Sequence, residues 1–67
     1  MKIVLNNSPE VIEREGVTVS ELLKIKNFTF RMLVVKINGN LVKKADYDTA
    51  RISEGDDVVV LHLISGG

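Results

Sequence analysis

The sequence predicts an α+β fold in which one helix packs across a mixed sheet of four to five strands. Three observations predict it. Strand-like apolar runs open and close the chain, at Ile3 to Leu5 and at Val58 to Ile64. Thr18-Val19-Ser20-Glu21 is a helix-start signature in the first third, and Asn38-Gly39 sits between two apolar segments as a hairpin turn. One helix on one sheet is an economical core for a chain of 67 residues, because chains this short bury only about 60% of their unfolded surface.

The elements follow in order. Residues 2–6 alternate, Ile3 and Leu5 facing one way and Lys2, Val4 and Asn6 the other, which is a half-buried strand. Asn6-Asn7-Ser8 and Pro9 mark a turn. A second strand is expected over Glu10 to Glu13, with Val11 or Ile12 inward. Thr18 and Glu21 can satisfy each other's backbone N–H groups, so a helix begins at Val19. Leu22, Leu23 and Ile25 form its apolar stripe, with Lys24 and Lys26 toward solvent. Its end carries no clean period, and Phe28 and Phe30 are expected to seal the bottom of the core.

Met32 to Ile37 reads as the next strand, Leu33, Val35 and Ile37 sharing one face. Asn38-Gly39 supplies residues that tolerate positive φ, and Asn40-Leu41-Val42 returns. Lys43 to Ala50 reads as a loop with a turn of helix anchored by Tyr47. Glu54-Gly55-Asp56-Asp57 launches the last strand. There Val59, Leu61 and Leu63 are assigned to the core, and Val58, Val60, His62 and Ile64 face outward. The first and last strands, the most apolar, belong side by side in the sheet centre. That placement brings Ser65, Gly66 and Gly67 out at a sheet end.

Composition narrows the function. The chain has no cysteine, so neither a disulfide nor a thiolate metal site is available. The opening apolar run stops at Asn6-Asn7, too short for a signal peptide, and no stretch approaches a membrane span. A cytoplasmic protein without membrane contact is the expectation. Net charge is zero, yet six basic residues and no acid lie between Leu22 and Ala45 (Lys24, Lys26, Arg31, Lys36, Lys43, Lys44). Such a segment suits an acidic partner or a phosphate, and equally a solvated surface. Few aromatics and zero net charge argue against nucleic-acid binding. His62 is the sole histidine and has no triad-like partners by spacing, so no catalytic residue and no metal ligand is assigned.

The terminal Gly66-Gly67 taken alone reads first as a frayed chain end. The other reading is a slim tail, free of side chains, that enters a narrow channel and presents a carboxylate for activation. Context decides between them. Met1-Lys2-Ile3-Val4-Leu5-Asn6, Thr18-Val19-Ser20-Glu21-Leu22-Leu23, Val35-Lys36-Ile37-Asn38-Gly39, Tyr47-Asp48-Thr49 and Glu54-Gly55-Asp56-Asp57-Val58 stand in order before the diglycine. Together they resemble the β-grasp, or ubiquitin-like, fold, and more narrowly the small sulfur carrier proteins of the ThiS/MoaD group. The short length and the Ile37-Asn38-Gly39 hairpin are similar to the ThiS branch, which serves thiamine thiazole synthesis. The tail Ile64-Ser65-Gly66-Gly67 is reminiscent of MoaD, which serves molybdopterin synthesis.

The resemblance implies a single carrier domain over residues 1–67, not an enzyme. It implies that an E1-like adenylating enzyme of the ThiF/MoeB kind uses ATP to adenylate the Gly67 carboxylate. A thiocarboxylate follows, with sulfur drawn indirectly from a cysteine desulfurase or another donor. Thiazole synthase, or else the large subunit of molybdopterin synthase, receives it. The carrier itself binds no cofactor on this reading. Val58, Val60, His62 and Ile64 are the expected docking surface beside the tail, with His62 as a plain surface residue the competing assignment. A β-grasp interaction module with no use for a free diglycine is the remaining alternative.

Overall fold

A computed structural model describes residues 1–28 and 32–63. Phe30, expected beside Phe28, lies outside them, as do Ile64, Ser65, Gly66 and Gly67. The strands are β1 (Lys2–Leu5), β2 (Ser8–Val11), β3 (Val17–Thr18), β4 (Leu33–Ile37), β5 (Asn40–Val42), β6 (Arg51–Ile52) and β7 (Asp57–His62); α1 spans Val19–Ile25. Five strands form one sheet in the order β2-β1-β7-β4-β5. β1 and β7 run parallel, and every other pairing is antiparallel. The expected adjacency of first and last strands is therefore met, with β7 in the middle.

The expected α+β architecture holds with two additions. β3 and β6, two residues each, form a separate antiparallel pair. Their brevity left no periodic signal in the sequence. The second strand also begins earlier than expected. Asn6 and Asn7 both take positive φ (51° and 67°), which closes the first hairpin in two residues and pairs Ser8 directly with Leu5. Pro9 then falls within β2, an edge strand where a missing N–H is tolerated. Ile12 is the inward residue, just beyond the strand, while Val11 is exposed.

α1 begins as expected. The Glu21 N–H donates to Thr18 Oγ1 at 3.1 Å, and the Thr18 N–H donates to Glu21 Oε1 at 2.9 Å. That backbone donation is the main reason the Glu21 carboxyl sits below its ordinary range; desolvation opposes it, and the Arg14 guanidinium lowers it further. The next free N–H groups find carbonyls in the loop after β5: Val19 donates to Ala50 and Ser20 to Tyr47. The helix stops by a Schellman motif. Asn27 turns left-handed at φ 58°, the Phe28 N–H donates to the Leu23 carbonyl at 2.8 Å, and the Asn27 N–H donates to Lys24 at 3.1 Å. Leu23 and Phe28 both pack against the core.

The core lies between α1 and one face of the sheet. Val19 and Leu22 meet Ile3, Leu5, Val35, Val58 and Val60, with Val17 and Ile52 from the small sheet. Lys26 is not simply solvated as expected: its Nζ lies 2.5 Å from Glu10 Oε1, tying the helix end to β2. No helix among the described residues is long and apolar enough to cross a membrane.

Candidate functional site

The last strand carries the correction that matters most for function. Val58 and Val60 are 0% and 7% exposed, so neither belongs to a docking surface. Leu61 and Leu63, assigned to the core from sequence, are instead 50% and 45% exposed. Strand register is the cause. Val58 pairs with Ile37 and Val60 with Val35, and paired residues share a face, so these valines point at the helix. Val59, Leu61 and Leu63 consequently face away from it. β7 is apolar on both faces, so alternation within it could not choose between them. His62 is exposed as expected, although it pairs with Leu33 and so lies on the helix-facing side of the sheet. Ile64 lies outside the described residues.

The face away from α1 is thus the apolar surface that leads to the C-terminal residues. Val34 pairs with Leu61, Lys36 with Val59 and Lys36 with Leu41. The Leu63 N–H donates to the Met32 carbonyl at 2.9 Å, which continues that register to the last described residue. Met32 and Leu41 are strongly exposed. A groove lined by Leu41, Lys43, Lys44, Tyr47 and Phe28 adjoins this face at the β5 edge. The alternation of Met32, Val34 and Lys36 against Leu33, Val35 and Ile37 was legible in the sequence, but no role followed from it until the register of β7 joined Leu61 and Leu63 to the same face.

Among the described residues the basic segment does not collect on one surface, and Arg31 lies outside them. Lys26 is paired on the helix side, Lys36 lies on the open sheet face, and Lys43 and Lys44 border the groove. Among the described residues no group of three or more His, Cys, Asp or Glu could hold a metal ion.

The model of the ThiS family matches residues 3–67. The chain belongs to the ThiS family. That match spans both the β-grasp body and the terminal diglycine. The fold is similar to the crystal structure of the thiamine biosynthesis protein ThiS from Geobacter metallireducens, with a TM-score of 0.90 and 26% identity over all of both chains. It is also similar to the solution structure of a thiamine biosynthesis protein from the same organism, with a TM-score of 0.81, 26% identity, and coverage of 100% of this chain and 88% of that one. The ThiS-family body therefore places the open sheet face and the end of β7 together, and Ile64 to Gly67 follow β7 in sequence.

Proposed function

We propose that this ThiS-family chain is a sulfur carrier of thiamine biosynthesis whose reactive group is the Gly67 carboxylate. The observation that carries the reading is the family match through residue 67, diglycine included. The Gly67 carboxylate oxygen attacks the α-phosphorus of ATP on an E1-like enzyme, forming an acyl-adenylate and releasing pyrophosphate. A sulfur nucleophile then attacks the acyl carbon, the C–S bond forms, and AMP leaves with the former carboxylate oxygen. The terminal thiocarboxylate is the donor to thiazole synthase. ATP belongs to the activating partner, and the carrier contributes presentation of one carboxylate.

Docking energetics favour a body contact as well as the tail. Ordering three tail residues costs about 1–2 kcal/mol each in backbone entropy. Burying a few hundred Å² of apolar surface at about 25 cal/mol per Å² offsets that cost. The face bearing Leu61, Leu63, Met32 and Leu41 supplies exposed apolar area of that kind. It replaces Val58 and Val60 in the docking role.

The test is intact mass measurement after incubation with an E1-like adenylating enzyme, ATP and sulfide. Exchange of one oxygen for one sulfur at Gly67 is the expected result, and a chain extended beyond Gly67 should show none. An unchanged wild-type mass with an enzyme that activates another ThiS protein would overturn the reading.

A further inference from the structure

Lys36 stands on the open sheet face, toward the hairpin end of β4. Register sets it opposite Val59 on one side and Leu41 on the other, and Val34, two residues earlier, pairs with Leu61. Its ammonium has no ion pair and no hydrogen bond among the described residues, in contrast to Arg14 and Lys26, which are both paired. Asp57 is on the same face, two residues before Val59, and makes no ion pair with it. An unpaired cation therefore sits beside Val34, Val59 and Leu41, on a face that loses its water when a partner docks.

Three kinds of partner surface can be compared. A wholly apolar one would bury the ammonium without a counter-charge, which is unfavourable. A second copy of this chain, meeting it through the same patch, would bring two positive faces together, since Lys2 and Lys36 outnumber Asp57 there. An apolar surface carrying one carboxylate satisfies both the leucines and the lysine. We infer that the activating partner's docking surface presents an Asp or Glu opposite Lys36 within an apolar patch, and that this pair sets the register in which the tail is delivered. The inference rests on the carrier reading above and adds the chemistry of the partner.

The experiment uses the full chain and the cognate E1-like adenylating enzyme, with binding measured by calorimetry at low and high salt. Lys36→Met should weaken binding by about tenfold or more, Lys36→Glu should weaken it further, and Lys36→Arg should retain most of it. Loss of the charge should also flatten the salt dependence of binding. Lys24→Met, an exposed change on the helix, is the control and should bind like wild type. Circular dichroism confirms that each variant is folded. Equal or tighter binding by Lys36→Met would overturn the inference while leaving the carrier reading intact, provided the wild-type chain still gains sulfur. A wild-type chain that is never adenylated removes both. A stable wild-type dimer that Lys36→Glu leaves unchanged and that blocks the enzyme would also overturn it.

Discussion

The side chain of Asn6 takes the place of a strand beside Val60. Its Nδ2 donates to the Val60 carbonyl at 3.1 Å, and the Val60 N–H donates to its Oδ1 at 2.8 Å. The Asn6 N–H donates to Val58 at 2.9 Å, so the parallel ladder between β1 and β7 continues past the end of β1 through an amide side chain. One residue thus turns the first hairpin and holds the segment of β7 that leads to the tail.

Replacing Asn6 should separate these two tasks. Asn6→Gly keeps the positive φ and loses both side-chain hydrogen bonds, which should cost about 1–3 kcal/mol. Asn6→Ala loses the bonds and adds the left-handed penalty, about 1 kcal/mol more. Urea unfolding of the three proteins measures both steps. Equal stability in all three would mean that the amide contributes nothing to the ladder.

The capping box predicts a pH dependence. The folded-state pKa of Glu21 is lowered, chiefly because its carboxylate accepts from the Thr18 backbone. A lowered folded pKa contributes stability that is present above the unfolded value, about 4.3, and is lost as pH falls through the folded value. Glu21→Gln retains an acceptor for Thr18 and cannot ionise. The stability gap between wild type and Glu21→Gln should therefore be widest near neutrality and close on acidification below that unfolded value. A gap that stays constant from pH 7 to pH 3 would contradict the assignment.

The legible parts of this fold were those whose signal is local and one-sided. Ile3 and Leu5 alternate with exposed neighbours, Thr18 and Glu21 match a capping geometry, and Asn38-Gly39 takes φ 51° and 83° as a two-residue hairpin requires. Asn27 was a missed local signal, an asparagine serving where glycine is the usual left-handed stop. The facing of β7 was not local at all. Val58 to Leu61 are four apolar residues in a row, and only the pairing of Val58 with Leu5 and Ile37 decides which of them are buried. A one-residue slip exchanges the two faces, so Val58 and Val60 were expected on the exposed alternation and are found in the core.

Glu10 and Lys26 offer a test of how α1 is held to the sheet edge. Their side chains are only 25% and 32% exposed, and the ion pair joins β2 to the residue that caps the helix. Glu10→Gln, Lys26→Met and the double variant form a thermodynamic cycle. The coupling should be about 0.5–1 kcal/mol and should shrink as salt is raised. Zero coupling at low salt would leave the pair without a stabilising role.

The corrected facing of β7 separates stability from binding within six residues. Val60→Ala removes methyl groups from a site packed beside Val35, so it should cost about 2 kcal/mol in urea unfolding. Its affinity for the adenylating enzyme should fall only to the extent that the chain unfolds. The Leu61→Ser, Leu63→Ser double variant should behave in the opposite way. Both leucines are about half exposed, so unfolding should shift by roughly 0.5 kcal/mol or less, in line with surface substitutions. Sulfur loading of Gly67 at limiting carrier concentration should nonetheless drop sharply, because the face proposed to dock the enzyme has lost its apolar anchors. If Val60→Ala proved stable and binding-defective while the double serine variant loaded normally, β7 would face the other way and the docking surface would return to the valines.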